Sequence, residues 1–402
     1  MSIPKKLRAL LLAATVAIGS GAIGGCRATP ARVAPAEDRG ETPAAPVAAA
    51  SQGEPAAAVA EQATEPLGSL RNARIAVTKG ARPSPLVYFA GELDAAELER
   101  VAGAAPGVEV VAGLTRDAAL ARAGEADGVD ARLVTPQFLA AAKKLAWVQA
   151  MSAGVDRYVA LPGISDGRVV LTNLRGVHGP AIADHVFGML FYLTRDLGFH
   201  LGNQARGVWG REGSGRRPIA LQGRTLLVVG LGGIGTEVAR RGHGFGMRVI
   251  ATRKSDAAKP EFVERVSRSE ELLSLLPEAD VVVVCVPLTP ETEGLFSRAA
   301  FAALKPGAIF VNIARGKVAD TAALVEALGS GRLAGACLDV TDPEPLPAGH
   351  PLWGMANVVI TPHVAADAEL TDARAEALLT ENLRRFGAGE PLLNVVDPAA
   401  GY

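Results

Sequence analysis

The stretch VVGLGGIG at residues 228–235 constrains the fold of this chain more than any other feature. It follows RTLLVVG, an apolar run typical of a short buried strand, and precedes TEVARR, which is typical of a helix start. Gly230 permits a tight turn, Gly232 lets phosphates approach the backbone, and Gly235 lets the helix pack closely on the strand. A second apolar run, MRVIAT at residues 247–252, follows. Strand, glycine turn, helix and strand in this order predict a dinucleotide-binding unit rather than an ordinary glycine-rich loop.

The composition limits the classes of partner. With 402 residues, 49% of them hydrophobic, the chain has enough apolar material for two domains. Its formal net charge is −1 and no basic block of five or more residues occurs, so we expect neither nucleic acid nor an anionic membrane surface as an electrostatic partner. Three cysteines are too few for a disulfide framework, and Cys285 and Cys337 are predicted to be small buried side chains. We expect no metal site.

The first 26 residues resemble a bacterial lipoprotein signal. Three basic residues precede an apolar, uncharged stretch at 9–23, which ends in Ile-Gly-Gly-Cys26. In such signals the cysteine becomes the lipidated first residue of the mature protein. A short transmembrane helix is the weaker alternative, because the run is short and rich in Gly and Ala. Residues 27–69 are mostly Ala, Pro, Glu, Gln and Thr without periodicity, which predicts a flexible tether.

This start predicts a protein of the cell envelope that is attached to the membrane only through a lipid on Cys26. The alternative is a cytoplasmic protein whose start site lies near residue 70. No methionine lies between Met1 and Met151, so that start would need a non-standard codon. The ordered succession of basic end, apolar core, small residues, cysteine and tether favours the envelope.

The folded part is predicted to alternate strands and helices. ARIAVT at 73–78, VEVVAG and AWVQAM are separated by helical stretches, a pattern that indicates a parallel sheet with crossover helices. ARPSPLVYFAG, at 81–91, is interpreted as a loop. We predict an α/β fold in which a Rossmann-type doubly wound parallel sheet, residues 173–363, is inserted into a smaller flavodoxin-like α/β substrate domain, residues 70–172 and 364–402.

Within the nucleotide-binding part, several apolar runs predict strands covered on both faces. DVVVVCVP, GAIFVNIARG, GACLDV and NVVITPH are near-continuous in Val, Ile and other apolar residues. The segment 181–197 is apolar on most sides and predicts a buried helix that suits a hinge between the domains. A last helix at 367–387 is predicted to return to the first domain.

Polar residues at the ends of these strands form a candidate constellation, because open α/β sheets bind ligands outside the carboxyl ends of their strands. Arg315 follows GAIFVNIA, Glu344 lies beyond GACLDV, and His363 follows NVVIT. Any one of them alone would be interpreted as structural, whereas three at one edge indicate a site. The small residues of SAGV, 152–155, follow AWVQAM and could present backbone N–H groups to a carboxylate, although a plain turn is the alternative.

The motifs SAGVD, GVHGPAIADH, GLGGIG, PLTPET, NIARG, LDVTDPEP and TPHVA resemble those of the D-isomer-specific 2-hydroxyacid dehydrogenase family over about residues 73–395. The resemblance implies that His363 donates and accepts the proton, that Glu344 is its hydrogen-bonded partner, and that Arg315 anchors the substrate carboxylate and carbonyl oxygen. Ala366 stands where a glycine usually follows the HVA step. Family members are usually homodimers. The resemblance also implies substrate contacts from Gly154 and Val155, and cofactor contacts from Gly230, Gly232, Gly233, Ile234, Gly235, Pro287, Ile313, Ala314 and Asp339.

The chemistry of these side chains suits those roles. A 2-oxo acid carries a carboxylate and a carbonyl, and a guanidinium can hold an oxygen of each and polarise the carbonyl as hydride arrives. The developing alkoxide then needs a proton. An imidazole beside a carboxylate is a suitable acid at neutral pH, and the same group serves as the base in the reverse direction.

The end of the second strand of the dinucleotide unit bears on the choice of cofactor. The acidic residue that would bind the ribose hydroxyls of NAD is missing, and Arg253-Lys254-Ser255 follow instead. A basic side chain there can neutralise a 2′-phosphate, so NADP(H) is favoured. NAD(H) stays open, because the pair could also be a solvated basic turn.

We therefore predict an NAD(P)-dependent reductase of small 2-oxo acids, similar to glyoxylate and hydroxypyruvate reductases. One alternative is a nucleotide-sensing binding protein of the same fold without turnover, which the lack of a docking feature disfavours. Another is a dehydrogenase for formate or phosphite. The combination of Glu344 with His363, suited to protonating an alkoxide, favours the hydroxy acid.

Overall fold

The computed structural model describes residues 85–402. The expected signal with Cys26, the expected tether and the strand expected at 73–78 all lie outside these residues. Within the described part, no helix is both long enough and apolar enough to cross a membrane.

The first sheet has five parallel strands in the order β2-β1-β3-β4-β5. This order is that of the flavodoxin-like α/β folds. The strands and the helices among them are β1 (Leu86–Phe89), α1 (Ala95–Ala104), β2 (Val108–Val111), α2 (Arg116–Ala121), β3 (Gly128–Asp130), α3 (Pro136–Ala141), β4 (Trp147–Gln149), α4 (Asp156–Val159) and β5 (Val170–Thr172).

Strand β1 corrects the interpretation of 81–91 as a loop, which is wrong for residues 86–89. LVYF pairs on one side with β2 and on the other with β3, so it is an internal strand. Tyr88 and Phe89 are fully buried. A Cβ on Gly128 would lie only 2.8 Å from the Tyr88 ring, so β3 approaches β1 closely where it carries no side chain. A run of four apolar, β-prone residues between Pro85 and Gly91 was the missed signal.

The second sheet has seven parallel strands in the order β12-β11-β10-β9-β6-β7-β8. The chain reverses direction across the sheet between β6 and β9, as in doubly wound dinucleotide-binding folds. Every residue of β6, β9 and β10 is buried, which explains their uninterrupted apolar sequences. The strands are β6 (Thr225–Val229), β7 (Arg248–Thr252), β8 (Arg265–Ser267), β9 (Val281–Val284), β10 (Ala308–Asn312), β11 (Leu333–Leu338) and β12 (Val358–Ile360).

Helices cover the second sheet. The predicted buried helix is α5 (Gly179–Thr194), which packs on the helix that follows the glycine turn. The Phe187 ring lies 4.9 Å, centroid to centroid, from that of Phe245 at the end of that helix. The helices are α5, α6 (Leu197–Ala205), α7 (Gly233–Gly244), α8 (Leu272–Leu275), α9 (Arg298–Ala303), α10 (Thr321–Gly329) and α11 (Glu369–Ala388).

Helix α11 returns the chain to the first sheet. The Phe386 ring lies 5.1 Å from the Trp147 ring of β4, and both side chains are fully buried. The Asn382 side chain donates to Gln149 Oε1 at 3.1 Å. The chain on both sides of the second sheet therefore contributes to the first, which confirms the predicted insertion of one α/β sheet into another.

Candidate active site

The glycine turn after β6 fits a dinucleotide. Gly230 has φ 98°, and a Cβ on Gly235 would lie 2.1 Å from the Gly230 carbonyl oxygen, so both positions require glycine. A Cβ on Gly232 would meet no atom within 4 Å. The structure therefore leaves open space at Gly232, beside the start of α7, where the pyrophosphate of a dinucleotide would approach the backbone.

The other residues predicted to contact the cofactor surround this turn or follow neighbouring strands. A Cβ on Gly233 would lie 3.3 Å from the Gly176 Cα atom, so the loop before α5 closes on the turn. Ile234 is partly buried against the core. Pro287 follows β9 and is exposed, whereas Ile313 and Ala314 follow β10 and are mostly buried.

The basic residues after β7 fold back on their own loop. Arg253 Nε donates to the Ser255 carbonyl at 3.1 Å, and the guanidinium also contacts the Ala257 carbonyl. Lys254 is exposed, and its carbonyl accepts from Arg268 Nη1 at 2.7 Å. The end of β7 thus carries positive charge where the sequence lacks an acidic residue.

His363 and Glu344 form a hydrogen-bonded pair. His363 Nδ1 lies 2.8 Å from Glu344 Oε1, and both side chains are a little under half exposed. His363 adopts the left-handed backbone conformation, φ 59°, and its N–H donates to the Asp339 carbonyl at 2.8 Å. A carboxylate at this distance fixes the orientation of the ring.

Asp339 supports the loop that carries His363. Its buried carboxylate accepts hydrogen bonds from the backbone N–H groups of Val364, at 3.0 Å, and Ala365, at 3.1 Å. It also accepts from the Thr361 hydroxyl at 2.6 Å. These contacts hold the chain on both sides of His363, in addition to the cofactor contact that the resemblance implies for Asp339.

His185 and Thr361 were missed as part of this site. His185 Nε2 lies 2.9 Å from Thr361 Oγ1. Because the Thr361 hydroxyl donates its only proton to Asp339, His185 Nε2 must carry the proton that it shares with Thr361. The sequence placed His185 in a buried helix and gave no sign of a partner 176 residues away.

Arg315 lies against the loop that follows β4 of the first sheet. A Cβ on Gly154 would lie 1.8 Å from Arg315 Nη2, so the two predicted substrate contacts meet directly. Arg315 Nε donates to Asp156 Oδ1 at 3.1 Å, and the Arg315 carbonyl accepts from Asn312 Nδ2 at 3.0 Å. Val155, also predicted to contact substrate, is buried.

The Arg315 and Glu344 segments also touch. A Cβ on Gly316 would lie 1.9 Å from the Thr341 carbonyl oxygen, so only glycine lets these two turns pack together. Three segments at the carboxyl edge of the second sheet therefore carry Arg315, Glu344 and His363. The Arg315 segment contacts the Glu344 segment, and the Glu344 side chain contacts His363. Among residues 85–402 there is no group of three or more His, Cys, Asp or Glu side chains able to hold a metal ion.

A nucleotide-binding turn, an arginine and a histidine–carboxylate pair at one edge of a doubly wound sheet are the parts of a nicotinamide-dependent oxidoreductase. The family model described as "D-isomer specific 2-hydroxyacid dehydrogenase, NAD binding domain" matches residues 187–365. A glyoxylate reductase from Aeropyrum pernix is 34% identical over 287 residues, which is 69% of this chain and 85% of that protein.

Two solved structures are similar in fold to most of this chain. A D-isomer specific 2-hydroxyacid dehydrogenase from Xanthobacter autotrophicus, in complex with NADPH and MES, is 34% identical with a TM-score of 0.67, covering 79% of this chain and 100% of that one. An NADPH-dependent glyoxylate/hydroxypyruvate reductase from Sinorhizobium meliloti is 29% identical with a TM-score of 0.65, at the same coverages.

The chain belongs to the D-isomer specific 2-hydroxyacid dehydrogenase family. It is an NAD(P)-dependent oxidoreductase that acts on the CH–OH group of hydroxy-acid donors. The predicted family, fold class and enzyme class are confirmed. The roles of individual site residues, the preferred cofactor, the dimer and the location stay predictions.

Proposed function

We propose that this protein reduces small 2-oxo acids of the glyoxylate and hydroxypyruvate class to D-2-hydroxy acids, with NADPH as the preferred cofactor. The observation that carries the proposal is the His363–Glu344 pair, 2.8 Å apart, on the same edge as Arg315. A sensor that only binds nucleotide has no use for an acid–base pair. The names of the relatives from Aeropyrum pernix and Sinorhizobium meliloti support the substrate class.

Arg315 binds the substrate in this proposal. Its guanidinium holds the carboxylate and the neighbouring carbonyl oxygen of the 2-oxo acid, and polarises the carbonyl as charge develops on that oxygen. Gly154 keeps the space beside the guanidinium free of a side chain. A small substrate suits this crowded contact between the two sheets.

His363 supplies the proton. A bound nicotinamide supplies the hydride that reduces the carbonyl carbon, and the imidazolium of His363 gives its proton to the carbonyl oxygen, which becomes the hydroxyl group. Glu344 stabilises the charged imidazole before transfer. In the oxidation of a hydroxy acid the neutral imidazole takes the proton back.

A substrate panel tests the proposal. Glyoxylate, hydroxypyruvate, pyruvate and larger 2-oxo acids are assayed with NADPH and with NADH, with formate and phosphite as the competing donors. We expect turnover of the small oxo acids, and a decrease of about 10²–10⁴-fold in kcat for His363→Ala and for Arg315→Ala. Near-wild-type activity of His363→Ala would overturn the mechanism.

The cofactor preference has its own test. Arg253 and Lys254 stand where a carboxylate would repel a 2′-phosphate, and the Xanthobacter and Sinorhizobium structures contain NADPH and NADP. We expect Arg253→Asp to lower kcat/KM with NADPH relative to NADH. The preference would be refuted if the wild type used NADH equally well and Arg253→Asp left that ratio unchanged.

We also propose that the protein is a homodimer and that it is lipid-anchored in the cell envelope. We propose that its substrate domain comprises residues 70–172 and 364–402, and that its nucleotide-binding domain comprises residues 173–363. Large apolar side chains on and after α6 are exposed, among them Leu201 at 54% and Trp209 at 97%, which supports an oligomeric contact there. Light scattering of wild type and Leu201→Ser tests the dimer: a monomeric wild type would refute it.

A further inference from the structure

The loop between β4 and α4 is held in one backbone conformation by its own side chains and by a neighbour. Ser152 Oγ donates to the Gly154 carbonyl at 2.8 Å, and Asn173 Nδ2 donates to the Ala153 carbonyl at 2.9 Å. The loop ends at Asp156, the first residue of α4. The Asp156 carboxylate therefore follows a turn whose backbone is fixed by hydrogen bonds.

This carboxylate engages one side of the Arg315 guanidinium. Arg315 Nε donates to Asp156 Oδ1 at 3.1 Å, and Nη2 lies 3.0 Å from the same oxygen. Arg315 Nη1 donates to the Ala314 carbonyl at 2.7 Å. Both charged side chains are about one-third exposed or less, at 27% and 32%, so the pair is partly shielded from water.

The remaining donors of Arg315 suit a 2-oxo acid. A guanidinium has five N–H groups, and within the described residues one on Nε and one on Nη1 donate to protein acceptors. Nη2 also lies 3.0 Å from Asp156 Oδ1, so two N–H groups remain for a ligand, one on Nη1 and one on Nη2. These two terminal nitrogens form the fork that can bind two oxygens side by side, such as those of a carboxylate or of a carboxylate and its neighbouring carbonyl.

We infer that Asp156 is a positioning residue for substrate binding: it holds the Nε side of Arg315 so that the terminal fork faces the 2-oxo acid. The inference rests on the proposed function. Because Asp156 belongs to the first sheet's part of the chain and Arg315 follows β10 of the second, the substrate anchor is complete only when both are in place. Neither the sequence pattern nor the family resemblance assigned Asp156 a role.

Positioning and charge competition predict opposite results. If Asp156 mainly competed with the substrate carboxylate for Arg315, both Asp156→Ala and Asp156→Asn would lower KM for the oxo acid. If Asp156 positions Arg315, Asp156→Ala raises that KM, and Asp156→Asn recovers most of the loss because its carbonyl oxygen still accepts from Nε. The free energy of a hydrogen bond to a charged group corresponds to a change of about 10-fold or more in KM.

The experiment measures KM and kcat for the best oxo acid, and KM for NADPH, in the full-length protein. We expect Asp156→Ala to raise KM for the oxo acid about 10-fold or more with KM for NADPH unchanged. Asp156→Glu, which displaces the carboxylate by one methylene, should also raise it and replaces the alanine variant if that fails to fold. Asp184→Ala is the matched control, since Asp184 also binds an arginine side chain, Arg241 Nε at 2.6 Å.

A double-mutant cycle identifies the route of the effect. In the Arg315→Lys background, Asp156→Ala should raise KM for the oxo acid little further, because the guanidinium that Asp156 positions is already absent. A wild-type KM in both Asp156→Ala and Asp156→Glu, an equal loss in the Arg315→Lys background, or a KM lowered by Asp156→Asn would overturn the inference. If the wild type turns over no oxo acid, the proposed function fails instead. Calorimetry of oxamate binding to the NADPH complex then tests the positioning without turnover, and equal affinity in wild type and Asp156→Ala would overturn it.

Discussion

In the proposed mechanism Glu344 acts on the reaction through the His363 imidazole, whose Nδ1 lies 2.8 Å from Glu344 Oε1. In Glu344→Gln an amide replaces the carboxylate, so we expect a smaller loss of kcat than in His363→Ala. The pH dependence of reduction should also change, because the neutral amide removes the negative charge beside the imidazole. Profiles of kcat/KM against pH measure this.

The control for that prediction is Glu326→Gln, at an exposed glutamate that pairs with Arg298 on α9. It should leave the profile unchanged. If Glu344→Gln also kept the wild-type profile, Glu344 would be a structural partner of His363 and not an electrostatic one.

His178 makes stability depend on pH. It precedes α5 and is mostly buried, and Nδ1 has no hydrogen-bond partner in the described structure. Burial lowers the pKa of His178, with an opposing backbone interaction at Leu174. The unfolded chain therefore binds the proton more readily, so the free energy of unfolding should decrease as pH falls below about 6.5, with no contribution above it.

Thermal unfolding at pH 8 and pH 5.5 tests this. In His178→Leu the decrease of Tm between the two pH values should be smaller than in wild type, since the buried proton acceptor is gone. His200→Gln, at an exposed histidine on α6, should behave like wild type. An unchanged decrease in His178→Leu would assign the acid sensitivity to other groups.

At the scale of elements, α11 is fixed to the first sheet by a buried polar contact as well as by Phe386. Asn382 is fully buried; its Nδ2 donates to Gln149 Oε1 at 3.1 Å, and its Oδ1 accepts from the Leu393 N–H at 2.8 Å. Asn382→Leu leaves the buried Leu393 N–H without this partner and removes one of the two hydrogen bonds to Gln149 Oε1, which still accepts from the Thr172 hydroxyl at 2.8 Å. We expect the free energy of unfolding to fall by about 1–3 kcal/mol. Denaturant unfolding measures it.

Glu376→Gln on the same helix is the comparison. Glu376 forms a partly exposed ion pair with Arg100 of α1, and such pairs contribute little. We expect no measurable change. Equal stability of wild type and Asn382→Leu would mean that water or a shift of α11 satisfies the Leu393 N–H.

The elements that the sequence predicted are those with strong local signals. β6, β9 and β10 are fully buried, so their sequences are continuous apolar runs beside glycines. β5 and β8 have three residues each and are not predicted by the sequence. β4 and β12 are equally short, but they lie within the longer apolar runs AWVQAM and NVVIT, which the sequence does predict as strands. α5 and α11 were placed to within a few residues of their observed bounds.

Some residues of the site could likewise be predicted from the sequence, and others could not. Arg315, Glu344 and His363 could be selected because each follows a predicted strand of one sheet, whose carboxyl edge collects them. Asp156 and Arg315 are 159 residues apart, and His185 and Thr361 are 176 apart. Such contacts depend on how two sheets and a helix pack, which no local pattern encodes.

For the whole molecule, the site is composite: the first sheet contributes the Gly154 loop and the second contributes Arg315 and the nucleotide turn. Its proposed chemistry uses a nicotinamide cofactor, which is found in the cytoplasm, whereas the sequence of residues 1–69 resembles the signal and tether of an exported lipoprotein. The location therefore decides how the enzyme would obtain its cofactor, and it needs a direct test.

Palmitate labelling with membrane fractionation provides that test. If the lipid is attached at Cys26, the wild type should incorporate palmitate and sediment with membranes, while Cys26→Ser should remain unlabelled. Cys285→Ser is the control, since that thiol lies in the chain beyond β9 and should not affect labelling. An unlabelled, soluble wild-type protein that starts near residue 70 would refute the anchor, and the reductase would then share the cytoplasm with its cofactor.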